Sequence, residues 1–374
     1  MAAPGGPYLP AGSERCQHDD REPCRKPPFK HWLIRQRWWI WRLATFPVQL
    51  AAFALIVFVV VRIIPGDPVE TVTGGQYTPE VYDSVKRALG LDGTLIEQLW
   101  RYMKEVASLD LGNSLITGRF ISEDIGQKLA ATVELALMAL LGTIFFALIG
   151  SHLVVMHPRR LSSRILRGYA RTAGSVPEFV LGIVAIFIFY ATLHWAPAPM
   201  GRLSQFLDPP TAVTGMPFVD VLISGDGELI RSMLSHLVLP VGIMIVAQVP
   251  VLMKILLGDL EAAIEAPMTR FRIATGASRG QVLLSIYRRA LPPSVTMVGT
   301  MFGYLLGGAL VVETLFGLDG IGKYSIDAVQ SADLTVMQSV MLVVAGLTLL
   351  VFMLFDLTNM LLDPRRRPGT REEN

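Results

Sequence analysis

Apolar residues along this chain gather in long blocks, not in the strict alternation of a half-buried strand. Six blocks, at roughly 43–64, 131–156, 172–193, 235–257, 291–312 and 339–361, each supply about 20 mostly apolar residues. That is the length a helix needs to cross a bilayer. The connecting segments are too polar for lipid. Two of the connections carry their own helical spacing. VYDSVKRALGL and TLIEQLWRYMKEVASL, within 65–130, place apolar residues on one helical face. Pro79 suits the start of the first of these helices and Gly90 its end. The pattern predicts an all-α polytopic membrane protein of six transmembrane helices, with small helices packed on one face after the first span.

Composition agrees. Of the 374 residues, 52% are hydrophobic and 17% charged, against about a quarter charged in soluble domains. Disordered, collagen-like and disulfide-scaffold classes are excluded by the same figures. Lys plus Arg is 33 and Asp plus Glu is 31, a net charge of +2, which is no nucleic-acid signature.

The distribution of charge sets direction. Loop 157–171 holds five arginines and no acid; segment 258–290 holds five arginines and three acids; the tail 362–374 holds four arginines. Loop 194–234 has two arginines against four acids, loop 313–338 one lysine against four acids, and stretch 65–130 six basic against ten acidic residues. Basic connections stay in the cytoplasm. Both termini, 157–171 and 258–290 are therefore expected inside, and 65–130, 194–234 and 313–338 outside. Residues 29–42 interleave Lys30, Arg35, Arg37 and Arg42 with Trp32, Trp38, Trp39 and Trp41, and read as an interfacial amphipathic helix leading into the first span. Residues 1–28 carry six prolines and no apolar period and read as a disordered tail. The chain shows no signal-peptide pattern.

Candidate chemistry is sparse. Gly317 to Tyr324 is one residue from a phosphate-binding loop, but Tyr324 stands where that loop needs Ser or Thr for magnesium. The segment lies on the outer side, and its glycines predict a turn between the fifth span and a short outer helix. Cys16 and Cys24 match no zinc spacing, and His152 and His157 are five apart, off a common helix face. No metal, cofactor or catalytic constellation is expected. Ionisable residues in or at the ends of spans are Arg62, Glu134, Glu178, Lys254, Glu313 and Asp356. Burying them in lipid is costly, so they attract functional attention. Glu178 and Glu134 are candidates for lining a pathway; structural pairing fits Glu178 equally. Segment 258–290 is too charged for lipid yet helix-forming on either side of Gly276. An ordered connector of that length suggests docking on a soluble partner.

Several stretches then resemble the inner-membrane permease subunits of binding-protein-dependent ABC importers of the dipeptide/oligopeptide/nickel type. They are Arg62-Ile-Ile-Pro-Gly-Asp-Pro68, Leu89-Gly-Leu-Asp92, Asp110-Leu-Gly-Asn-Ser114, Ala131-Thr-Val-Glu-Leu135, Ser175-Val-Pro-Glu-Phe-Val-Leu-Gly182, His236-Leu-Val-Leu-Pro240, Gly308-Ala-Leu-Val-Val-Glu-Thr-Leu-Phe316 and Asp356 to Arg365. Their order and spacing run from about 43 to 367. Two departures stand out. In Met268 to Gly276 only Arg270, Ala274 and Gly276 fit the family's inner-loop run, and Glu178 replaces a usual small polar residue.

The resemblance implies a type I ABC importer permease fold, with the transmembrane domain over 128–361, in a bacterial plasma membrane. It implies a second similar permease subunit, two ATP-binding subunits inside and a substrate-binding protein outside. The permease itself would be non-catalytic and would form half of a passage for di- or oligopeptides; nickel, opine and oligosaccharide importers share the architecture. An unrelated secondary transporter is the rival class, but no inverted repeat of broken helices is visible. The resemblance places the coupling loop at 258–290, with Glu261, Glu265, Arg270 and Gly276 as its candidate ATPase contacts. The acidic outer face, with Glu123 and Asp124, is the candidate dock for the binding protein. Pro65, Gly66 and Asp67 would set the exit turn of the first span.

Overall fold

The computed structural model describes residues 37–63, 68–88, 90–172 and 174–362. The tail 1–28, the first part of 29–42, the turn at Pro65, Gly66 and Asp67, and segment 363–374 lie outside the described residues. Every regular element among the described residues is helical. In chain order they are α1 (Arg37–Ile63), α2 (Pro68–Thr73), α3 (Pro79–Ala88), α4 (Leu95–Ser108), α5 (Ile121–Met156), α6 (Leu161–Arg171) and α7 (Glu178–Ala185), which runs on as a π-helical stretch, Ile186–Thr192. There follow α8 (Pro217–Ser224), α9 (Gly227–Glu265), α10 (Pro267–Ala274), α11 (Arg279–Leu315), α12 (Ile321–Gln330) and α13 (Leu334–Leu362).

Among the described residues, five helices are long and apolar enough to cross a membrane: α1, α5, α9, α11 and α13. Several overrun the apolar blocks. The 39 residues of α9 reach about 58 Å at 1.5 Å rise, roughly twice the hydrocarbon core. The overrun is secured by caps in water. Asp226 accepts from the Glu228 and Leu229 amides to start α9, and Ser278 with Gln281 forms a capping box that starts α11. Likewise α5 begins at Ile121, so residues expected in the outer segment belong to the same rod as the second span.

The third apolar block forms only a 15-residue helical run, Glu178–Thr192, shorter than the expected 172–193. Gly174 has φ +73, and Pro177 biases the residue before it away from helical backbone, so the helix cannot start sooner. At the far end the Trp195 and Ala196 amides both donate to the Phe189 carbonyl, and His194 turns to φ 53. With this shorter run, the described residues hold five candidate spans and one shorter apolar helical segment.

The core is a three-rod bundle. α9 packs along α5 and α11, and α11 also packs on α5. Leu135, Ala136, Ala139, Met244, Met253 and Leu305 are buried there, and small residues such as Ala139 and Ala309 let the rods approach closely. α13 lies on α11, and α1 lies outside α13. α7 spans the groove between α9 and α11 and leaves Phe179 and Ile183 exposed, as is Phe187 on the π-helical stretch. The short helices α3 and α4 follow their local signals. Gly90 turns after α3 at φ +65, and Thr94 with Glu97 forms a capping box on α4.

Candidate translocation and coupling site

One end of the bundle is closed by buried ionic anchors. Glu134 on α5 is 4% exposed. Its carboxylate accepts from the Phe218 and Val219 amides, at 2.9 and 3.1 Å, at the start of α8. Arg202, in the loop before α8, donates to Glu134 Oε2 at 3.3 Å and to the Ala131 carbonyl at 3.0 Å. A helix start is a natural seat for a carboxylate, and a buried charge must be paired. Here the long loop after α7 is nailed to α5.

A second anchor lies beside it. Glu313 near the end of α11 accepts from Thr132 Oγ1 at 2.6 Å and from the Gly322 amide at 2.8 Å. Thr132 Oγ1 in turn accepts from the Ile321 amide. Gly317, at φ +61, makes the corner between α11 and α12. No strand precedes it among the described residues, so the phosphate-loop look-alike is a turn. Lys128 pairs with Asp319 at 2.6 Å across the same layer. A third anchor is Asp333. It caps α13 through the Val336 amide and accepts from Ser114 Oγ and the Leu115 amide at 2.7 and 2.9 Å. Sequence inspection did not single out Arg202, Thr132 or Asp333.

The two acids expected from sequence to face outward differ. Glu123 is exposed, whereas Asp124 is half-buried, within 3.7 Å of Arg119 and accepting from Tyr324 at 3.4 Å. In the first turn of α8, Asp220 is held below the usual carboxylate range by the amide of Thr214 in the preceding loop, with the Thr214 hydroxyl adding to the effect.

Glu178 opens α7 and is half-buried. Gln248 on α9 donates to one of its oxygens at 2.8 Å, and the other has no partner among the described residues. The carboxylate rests against Gly308 of α11, where a β-carbon would collide with it. Glu134 is therefore fully paired in packing, while Glu178 keeps one buried oxygen without a hydrogen-bond partner between three helices.

At the opposite end, α10 bridges the ends of α9 and α11. Thr269 is buried; its hydroxyl donates to the Ala263 carbonyl and accepts from Arg289 of α11. These two positioning residues carried no sequence signal. Met268, Phe271 and Ile273 on α10 and Leu284 on α11 are exposed. Glu265 and Arg270 are exposed too, and Gly276 turns at φ +80 with open space around it. Glu261 differs: it pairs with Arg167 of α6 at 2.7 Å.

Two family models cover nearly all of this architecture. The binding-protein-dependent transport system inner membrane component matches residues 139–368, and the N-terminal component of the same kind of protein matches 35–136. This chain belongs to that permease family. Among relatives, the probable D,D-dipeptide transport system permease protein DdpB of Escherichia coli is 31% identical over 91% of this chain and 98% of its own length. The dipeptide transport system permease protein DppB of Alkalihalophilus pseudofirmus is 34% identical over 86% of this chain and 96% of its own length. The di/tripeptide permease protein DppB of Pseudomonas aeruginosa is 32% identical over 86% of this chain. As a member of this family the chain is a multi-pass inner-membrane transport permease. Among its described residues no cluster of His, Cys, Asp or Glu is placed to hold a metal.

Proposed function

We propose that this permease forms half of the passage of an ABC importer for short peptides. A second, similar permease subunit would complete the passage. Two ATPase subunits would supply energy from inside, and a binding protein would deliver the peptide outside. The relatives' names support the peptide class. The observation that carries the coupling half of the reading is α10. It is a short helix braced by Thr269 and Arg289, with Met268, Phe271 and Ile273 bare. That apolar face suits a groove on a soluble protein. Glu265, Arg270 and Gly276 lie on or beside it, and Glu261 braces its root.

Both termini face the cytoplasm in this reading, and the anchored end of the bundle faces outward as the binding-protein platform. Glu134 serves there as an anchor. Glu178, with one buried oxygen left without a partner, is the group we assign to the passage. ATP-driven approach of the ATPases would move α10 and rock the bundle between outward and inward opening as a rigid-body switch.

The test is reconstitution of the permease with its second subunit, both ATPases and the binding protein in vesicles. ATP-dependent uptake of a labelled dipeptide is the expected result. Uptake of nickel, an opine or an oligosaccharide with no uptake of peptide would replace the substrate class. No ATP-dependent uptake of any solute would overturn the reading.

A further inference from the structure

A cavity of about 190 Å³ lies where α6 meets the end of α9 that leads into α10. Arg167 and Arg171 line it from α6, and Lys254, Leu257, Gly258 and Glu261 from α9. Three cations face one carboxylate, and that carboxylate is taken: Glu261 bonds Arg167 at 2.7 Å. Arg171 and Lys254 are exposed and, among the described residues, have no acidic partner. Two like charges around a small cavity repel each other, and an anion between them reverses the sign of that interaction.

The setting specifies the anion's surroundings. Lys254 sits among the last buried apolar residues of the α9 span, next to Met253 and close to Leu257. On α6, Leu161 is 70% and Ile165 63% exposed. Every charge on that helix and the residues just before it is an arginine: Arg159, Arg160, Arg164, Arg167 and Arg171. A helix that bares leucine and isoleucine among arginines alone has the character of one lying in a headgroup layer. Basic pockets between helix ends at the cytoplasmic face suit anionic headgroups.

We propose that this cavity binds the phosphodiester of an anionic phospholipid from the inner leaflet. Arg171 and Lys254 contact the phosphate, and the acyl chains run past Leu161 and Ile165. The inference rests on the inward orientation of α6 given above. Its occupant would brace α6 against Glu261, at the root of α10. A free phosphate offers the same anionic chemistry without the acyl chains.

The assembled transporter in detergent is titrated with dioctanoyl phosphatidylglycerol, with dioctanoyl phosphatidylcholine and with inorganic phosphate, and binding is read by native mass spectrometry. Phosphatidylglycerol binds, phosphatidylcholine does not, and millimolar phosphate does not displace the lipid. The Arg171→Gln/Lys254→Gln double variant weakens the tightest phosphatidylglycerol site about thirtyfold, about fivefold for each cation near a headgroup. Arg171→Lys keeps binding. Both changed residues are exposed, and co-purification of the ATPases checks that the variant is folded. Wild-type affinity in the double variant overturns the site. Displacement by inorganic phosphate overturns the lipid as its occupant. Peptide-stimulated ATP hydrolysis by the same sample tests the import reading separately, since lipid binding does not require it.

Discussion

Arg202 and Glu134 meet at 3.3 Å in a layer where both side chains are buried. The carboxylate also holds the first amides of α8. Removing one partner of a buried pair costs about 3–5 kcal/mol because the other charge is stranded. Glu134→Ala should therefore lower the unfolding temperature of the purified complex sharply. Adding Arg202→Met should restore only part of it. The Phe218 and Val219 amides would still lack an acceptor, at about 1–3 kcal/mol for a buried unsatisfied group. Full recovery in the double variant would show that the helix start contributes nothing.

Gly322 is the second expected weak point. Its amide donates to Glu313, and a β-carbon there would strike the α11 backbone at Leu310. Backbone cannot swing aside as a side chain can. Gly322→Ala should cost about 1–3 kcal/mol, the usual range for overpacking, and free α12. Faster cleavage within 317–330 by added protease is the measurement.

Asp333 joins the Ser114–Leu115 turn to the start of α13. Hydrogen bonds to a charged acceptor contribute about 1.5–3 kcal/mol each. Asp333→Ala should loosen the turn at 110–120 and weaken docking of the binding protein, while the spans stay folded. Titration of the binding protein against the assembled transporter reads the effect. Unchanged affinity would exclude this turn from the platform.

Gly276 turns at φ +80 in open space, so a side chain there meets no clash but a strained backbone. The left-handed conformation costs an ordinary residue about 1–2 kcal/mol. Gly276→Val should shift the helices on either side and lose ATP hydrolysis stimulated by loaded binding protein. Glu265→Ala should do little, since exposed charges contribute about 1 kcal/mol or less. Equal stimulation in both variants would make the loop a plain connector.

Orientation is tested by cysteines at Ser162 and Thr214, both exposed, in a background without Cys16 and Cys24. An impermeant thiol reagent added from outside should label position 214 and spare 162. The reverse pattern would invert the proposed topology.

The apolar blocks, the arginine-rich connections and the local start and stop signals at Pro79 and Gly90 were legible in the sequence. Each depends on neighbours a few residues apart. Lipid length selects about 20 apolar residues wherever they occur, and a cap needs only its own first turn. The family motifs were legible for the same reason, as short runs in fixed order. Tertiary structure alone decided which charges meet. Arg202 is one arginine in an acidic loop, and its partner Glu134 lies 68 residues away. Asp333 lies 219 residues from Ser114. Glu261 had the look of a free docking charge until the fold set it against Arg167. Burial makes such pairs obligatory, because an unpaired charge out of water is costly. Which groups become buried together is set by how the rods pack, and no local window contains that.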